Sequence, residues 1–560
     1  MKLFPISICV FFLILSCKKE KYPKYKTIPN HTLSLIHKKN KDLTENELYK
    51  WHIMDVLEDT IPGISLQKAY SLLEEKEVID TIVVAVIDSP IDINHEDLKP
   101  QIWCNKDEIP DNNIDDDHNG YIDDIHGWNF LGNRKGQHLN YANYESVRII
   151  RRYDSIFRNK TISQVPIQDT TFFLLYHRAK QKLKEQKIDA VKDQEYGKML
   201  ENILKTARKT LSLYFPNNNY SIKELDSLKQ LYSKDTILQD DILRITNFIK
   251  YGFTENYIKN YNIKASERIN NMLNIEYYDR TLIGDDSNSI TDTNYGNKIV
   301  DHDLDIFPHS TIVSGIIGAT RNNNIGIDGI TNAVKIMPLC ISGFGNEHDK
   351  DIALAIRYAV DNGAKVINMS FGKEFSARKQ WVNDAYKYAE KNNVLIVSSA
   401  GNNRRNLNKK NDYYPNDNIN NKEEVCSNFI LVGASSYSMN KKLITSFSNY
   451  GNINVDIFAP GHKIKTLLPK NHYKSDSGTS ISSAIVTGII ALIRSYYPDL
   501  TATEIKQILM KSGNSYLIDV EIKQKDGSKK IIAFSELSKS GKIVNVYNAI
   551  LMAEQISDSR

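Results

Sequence analysis

Cysteine is scarce: the 560 residues hold five, and two of them, Cys9 and Cys17, stand close to the N-terminus. That excludes a disulfide-stapled scaffold. The other three, Cys104, Cys340 and Cys426, are odd in number and widely spaced, and are expected as buried small hydrophobes. An excess of one charge is missing too. Lys+Arg 72 against Asp+Glu 68 leaves +4, so no global field favours nucleic acid or an acidic polymer, and no nucleic-acid partner is expected. The N-terminal apolar run, Leu3 to Leu15, is shorter than the ~20 residues a membrane-spanning helix needs. What is present is 41% hydrophobic and 25% charged residues, enough for a sizeable core in a soluble chain, and a length that allows about four domains or one large one with insertions.

Met1-Lys2 precedes the apolar run and Ser16-Cys17-Lys18-Lys19 follows it, the layout of a signal peptide. Ile14-Leu15-Ser16-Cys17 resembles a bacterial lipobox, whose cysteine is diacylated and becomes the new N-terminus. Residues 1–16 are then expected to be removed, with Cys17 as the lipid anchor and 17–60 as a tether and N-terminal arm. The expected location is the bacterial cell envelope, exported and held at a membrane through that lipid. An ordinary secretory signal with an incidental cysteine is the other reading.

Thr81–Asp88 is a near-continuous apolar run, as a strand covered on both faces requires. Similar runs lie at Val334–Leu339, Val366–Met369, Val394–Ser398, Phe429–Val432 and Val455–Phe458. Helical patterns at Asp349–Asn362, Ala377–Asn392 and Ile481–Tyr496 alternate with them. The pattern predicts an α/β fold, a doubly wound parallel sheet with its functional loops at the carboxyl ends of strands. Residues 134–296 differ, being rich in Lys, Tyr and Asn and poor in Gly. Met199, Ile203, Ala207 and Leu211 have helical spacing, and Ser221-x-x-Glu224 opens another helix as a capping box. This reads as a mostly α-helical insertion between a first sheet part, 61–133, and a second, 297–556.

Three motifs at element ends carry chemistry. Asp88 closes a buried strand, where its carboxylate can hold a partner by a strong hydrogen bond. His309 opens a run with small residues at Ser310, Ser314, Gly315 and Gly318 that permit close helix packing, and a neutral imidazole is the natural base near pH 7. Ser480 follows Gly478-Thr479 at the start of an apolar helix, where free N–H groups favour an oxyanion. His302, in Asp301-His302-Asp303-Leu304-Asp305, is a rival base but reads as part of a solvated acidic loop.

The order Asp88, His309, Ser480 with these flanks resembles the subtilisin-like serine peptidases, or subtilases. Asn368-Met-Ser-Phe-Gly372, Ser398-Ser-Ala-Gly-Asn402 and Phe458-Ala-Pro-Gly461 are similar to further motifs of that family. The resemblance implies a serine endopeptidase working through an acyl-enzyme on extended polypeptides: Ser480 as nucleophile, His309 as base, Asp88 as its orienting partner and Asn402 as oxyanion donor. It also implies that Ser370, Phe371 and Gly372, with Ser399 and Gly401, pair with the substrate backbone. Three positions depart from the family pattern: Pro90 and Ser310 stand where Gly is usual, and Ala484 where Pro is common. None removes a reacting group. They leave a second reading, a catalytically degenerate lipoprotein of the same fold that binds peptides or serves as a scaffold.

Asp115-x-Asp117-x-Asn119-Gly120, with Asp123 beyond, has oxygen ligands at alternating positions and Gly sixth, the beginning of a calcium loop. His126 stands where the closing Glu would be. Structural calcium is therefore expected at Asp115, Asp117, Asn119 and Asp123, with an acidic turn needing no metal as the alternative. No organic cofactor is expected.

Overall fold

The computed structural model of the protein describes residues 43–409, 413–421, 423–523 and 527–560. The expected signal segment 1–16 and lipid site Cys17 lie outside the described residues.

Ile82–Asp88 is the organising strand. It pairs in parallel with Val334–Cys340 on one side and Val366–Met369 on the other. Its side chains alternate between two apolar clusters: Val84 and Val86 join one, Ala85 and Ile87 the other. Helices His309–Gly318 and Thr479–Tyr496 cover the first face, Asp349–Asp361 and Lys379–Lys391 the second. The period-two alternation inside an unbroken apolar run is what a sheet buried on both faces demands. Leu395–Ser399, Phe429–Ser435 and Ile457–Pro460 extend the sheet beyond Val366–Met369, and the short Lys542–Ile543 and antiparallel Asn514–Ser515 end it. Trp128–Asn129 forms the opposite edge beside Val334–Cys340.

The chain therefore adds its next long strand on one side of Ile82–Asp88 and the later ones on the other. At such a reversal the carboxyl ends of the strands open onto a crevice, and Asp88 is the last residue of the central strand. Thr479–Tyr496 is apolar enough to cross a membrane, but 94% of it is buried, so its all-round hydrophobicity is that of a core helix.

The arm docks on this body. Trp51 is fully buried and its indole N–H donates to the His462 carbonyl at 3.0 Å. Asn545 Nδ2 donates to Ser65 Oγ at 2.8 Å, tying the Leu66–Leu73 helix to the C-terminal helix Val546–Ser557.

Between the sheet parts the chain is helical, from Glu145–Phe157 through the 42-residue helix Thr170–Leu211 to Glu255–Glu267. Ser221 and Glu224 form the expected capping box. The buried stripe of the long helix is Leu200, Leu204, Ala207 and Leu211, while Met199 is 47% exposed, so the apolar face lies one position on from where Met199 and Ile203 would put it. This segment packs beside the parallel sheet. Phe375 joins the cluster of Val147, Phe157, Phe173 and Tyr176, and Lys182 pairs with Glu374 at 2.6 Å.

Two expectations are corrected. Cys340 and Cys426 are buried, but Cys104 is exposed, because Ile102 takes the inward position against Ile336 in that extended stretch. His302 is not a solvated residue: its ring stacks on His138 with centroids 3.7 Å apart, and Asn129 Nδ2 lies 3.2 Å from its Nε2. It faces the edge strand, away from a role as base for Ser480.

Candidate active site

Asp88 is almost completely buried, and both of its carboxylate oxygens face His309 Nδ1, at 2.8 and 3.0 Å. The Ser89 amide donates to Asp88 Oδ1 at 2.7 Å and fixes the carboxylate. His309 opens its helix with its side chain 40% exposed, so one ring nitrogen is bound inside while the other is free to meet a substrate or nucleophile. Burial opposes the imidazolium, but the charge and hydrogen bond of Asp88 outweigh it. Asp476 adds to Asp88, Lys474 opposes, and the net effect raises the His309 pKa above its ordinary 6.5.

The departures from the family pattern sit beside this pair without breaking it. The Ser310 amide donates to Ser89 Oγ at 3.3 Å, and the Asp92 amide to Thr311 Oγ1 at 2.9 Å, so the loop through Pro90 docks on the first turn of the histidine helix. Ser310 is fully buried with its hydroxyl unpartnered. Ala484 is buried within the continuous serine helix.

Ser480 lies in the first turn of Thr479–Tyr496, half-buried, and its hydroxyl donates to the Ser370 carbonyl at 3.0 Å. Ser370 is anchored in turn: its Oγ accepts from Asn368 Nδ2 at 2.8 Å and lies 2.9 Å from Ser483 Oγ. Asn402 is oriented by Thr479, whose amide and hydroxyl both donate to Asn402 Oδ1 at 3.0 Å. With that oxygen occupied, Asn402 Nδ2 turns toward Gly478. A methyl group built on Gly478 would lie 3.5 Å from Asn402 Nδ2 and 3.7 Å from the Ser480 amide nitrogen. Asn402 Nδ2 and the Ser480 amide nitrogen therefore both lie close to Gly478, at the start of the serine helix.

One tyrosine, Tyr413, lies against both Gly372 and Gly401. A methyl group built on Gly372 would meet the Tyr413 phenol oxygen at 2.1 Å, and one on Gly401 would meet the ring at 2.5 Å. Tyr413 is 6% exposed and is held by its neighbour Tyr414, whose amide and carbonyl bond to Lys373 at 2.8 and 2.7 Å. Phe371 is half-buried, and Ser399 is buried within hydrogen-bonding reach of the Tyr413 phenol. Neither Tyr413 nor the orienting role of Thr479 follows from the motifs alone. Thr479 stands inside Gly-Thr-Ser, whereas Tyr413 carries no signal, because its position depends on how a long loop folds back.

The acidic loop is rearranged from the expected ligand set. Asp115, Asp117 and Glu108 bring carboxylate oxygens within 4.8 Å of one another. Asn119 stays nearby, its Nδ2 donating to Asp117 Oδ2 at 3.0 Å. Asp123 leaves the set: it accepts from the Asn112 and Asn113 amides and pairs with Lys298 at 3.1 Å. His126 faces the Trp103 carbonyl at 2.8 Å. Burial, with the nearby acids Asp124 and Asp117 adding to it, raises the Glu108 pKa against the backbone amides of Asp116 and Asp117 that hold its carboxylate.

Residues 80–531 match the Subtilase family. The chain is 35% identical over 205 residues to the Thermophilic serine proteinase of Bacillus sp. (strain AK1), covering 36% of this chain and 46% of that one. It is 30% identical over 210 residues to Subtilisin DY of Bacillus licheniformis, covering 37% of this chain and 70% of the relative. With the Cell wall-associated protease of Bacillus subtilis (strain 168), the identity is 31% over 224 residues, 40% of this chain and 22% of the other. The matches thus span less than half the length of the first and third of these relatives. With the family match running through both sheet parts and the segment between them, the chain belongs to the subtilase family.

Proposed function

We propose that the protein is a serine endopeptidase that cleaves extended polypeptides by acyl transfer. The observation that carries this reading is the buried Asp88–His309 hydrogen bond, with Asn402 Nδ2 and the Ser480 amide both close to Gly478 supporting it. Ser480 Oγ leaves the Ser370 carbonyl and attacks the scissile carbonyl carbon while His309 Nε2 accepts its proton. Asp88 holds Nδ1–H and stabilises the imidazolium. The Ser480 amide and Asn402 Nδ2 take the oxyanion, and His309 returns its proton to the leaving amine. Water then attacks the acyl-enzyme by the same route. Ser370–Gly372 and Ser399–Gly401 pair with the peptide backbone, which gives affinity with little reading of sequence.

Tyr413 sharpens the substrate class. Its ring occupies the gap between the two backbone-pairing segments, where the side chain preceding the scissile bond would enter, so that position takes a small residue such as Ala or Gly. Structural calcium is proposed at Glu108, Asp115 and Asp117, an all-oxygen set suited to a hard cation, where it would neutralise clustered carboxylates away from the reacting groups. Attachment of the exported protein to the bacterial envelope through Cys17 is proposed from residues 3–19 alone.

The hydrogen bond from Ser480 to Ser370 favours the second reading, a peptide-binding protein without turnover. Cleavage of an unfolded protein by wild type and Ser480→Ala separates the two: turnover lost only in the variant supports the peptidase, and equal behaviour of both supports the scaffold.

A further inference from the structure

A cavity of about 310 Å³ opens at the seam between the helical insertion and the peptidase sheet. Its inner wall is ionic and self-satisfied. Glu145 and Asp279 hold Arg148, Asp279 also faces His348 Nε2 at 2.9 Å, and Asp349 pairs with Lys373 at 2.8 Å. Arg280 is committed to Asp285 and Asp351, at 2.6 and 2.7 Å. Every carboxylate on the wall is therefore already matched by a cation.

The mouth is different. Arg151, Arg152 and Arg378 line the same cavity, and among the described residues none of the three pairs with a carboxylate. Arg151 donates to the Ile275 and Tyr277 carbonyls and to Asn143 Oδ1, and stacks 4.0 Å over the Tyr278 ring, so its N–H groups are largely used. Arg378 stacks 4.7 Å over Trp381 and gives one N–H to Asn288 Oδ1 at 3.1 Å, but its Nε is buried with no partner. Among the described residues Arg152 has no hydrogen bond or ion pair, and its guanidinium lies 5.6 Å from the Tyr153 ring centre. Burial and the neighbouring Arg152 charge both disfavour the Arg378 cation. Asp349 and Asp286 offset this only in part, and Arg152 and Arg378 keep N–H groups that the described residues leave unused and that suit an oxyanion.

We propose that this cavity binds a small phosphate-class oxyanion, with Arg152 and Arg378 as the principal ligands and Arg151 completing the charge. The ligand would bridge the insertion, which supplies Arg151 and Arg152, to the sheet part that supplies Arg378. The site is separate from Ser480 and stands whether or not the peptidase reading does.

The test is titration of the purified full chain with inorganic phosphate, against sodium chloride at matched ionic strength. Melting temperature and Trp381 fluorescence are followed, the latter assigned with Trp381→Phe. Phosphate should give a saturable shift that chloride does not reproduce. Arg152→Gln combined with Arg378→Gln should weaken the apparent affinity by about tenfold or more, as loss of charge-assisted bonds requires. Arg152→Gln alone removes a side chain with no hydrogen bond to lose, so it keeps the fold and should still weaken binding severalfold. A phosphate response equal to that of chloride, or undiminished affinity in the Arg152→Gln protein, would overturn the site.

Discussion

The Thr479 hydroxyl donates to Asn402 Oδ1 at 3.0 Å and accepts from the Gly401 amide at 3.0 Å. One side chain thereby ties the start of the serine helix to the segment that carries Asn402, the proposed oxyanion donor. Asn402→Leu keeps the volume and removes the donor, so kcat should fall about 10²- to 10³-fold with KM little changed, the usual cost of losing one such donor in a serine peptidase. Thr479→Val frees the amide to turn, and a smaller fall in kcat, roughly tenfold, is expected. Steady-state kinetics on one peptide checks both, and a loss confined to KM would contradict the assignment.

In the proposed mechanism His309 sets the acid limit of activity. Its pKa is raised, and it must be neutral to accept the Ser480 proton, so kcat/KM should fall as pH drops through a value above 6.5. Asp476→Asn removes one of the charges that favour the imidazolium, which should move this limb to lower pH. Lys474→Met should move it upward. Both groups are about one-third exposed and salt-screened, so the shifts should shrink in high salt. For the fold the sign is the reverse. The favourable Asp88–His309 interaction contributes stability fully below the unfolded histidine pKa and loses it as pH rises through the folded value. pH–rate profiles at two ionic strengths measure the limb, and no movement in either variant would contradict the electrostatic account.

Tyr413→Ala should open the gap between Gly372 and Gly401. Wild type is expected to cleave after Ala or Gly and poorly after Phe or Leu, and the variant should raise kcat/KM for Phe or Leu relative to Ala by about tenfold or more. Removing a buried aromatic ring also costs roughly 3–5 kcal/mol of stability, so the comparison is a ratio of substrates within each protein. Efficient cleavage after Phe by the wild type would show that the ring does not limit this position.

Calcium should raise the melting temperature of chelator-treated protein, and Glu108→Gln should reduce that rise. A Lys298→Met variant, which unpairs Asp123 from its cation, should leave the calcium response intact if Asp123 is no ligand. The absence of any calcium response would discard the site.

The fold and the motifs that hold Asp88, His309 and Ser480 are legible because both rest on local pattern. Apolar runs such as Ile82–Asp88 must be covered on both faces, and Asp88, His309 and Ser480 stand at strand or helix ends where short motifs announce them. What escaped depends on distant parts of the chain meeting. Glu108 joins Asp115 and Asp117 by a loop closing on itself, Asp123 is drawn off by Lys298 from 175 residues away, and Tyr413 reaches Gly372 only after a long excursion. His302 looked solvated among acids because its partner, His138, lies on the far side of the inserted helices in sequence. In the long helix Ala207 and Leu211 face inward as their spacing predicts, but Leu200 rather than Met199 continues the stripe, since both are apolar and only packing decides between them.

The central claim is that Ser480 is a nucleophile activated by His309. The most direct test is reaction of the folded protein with a fluorophosphonate, followed by intact mass and peptide mapping. A single adduct on Ser480, lost in Ser480→Ala and slowed in His309→Ala, is the predicted result. An unmodified Ser480 in well-folded wild-type protein, or an adduct that forms at the same rate without His309, would contradict it.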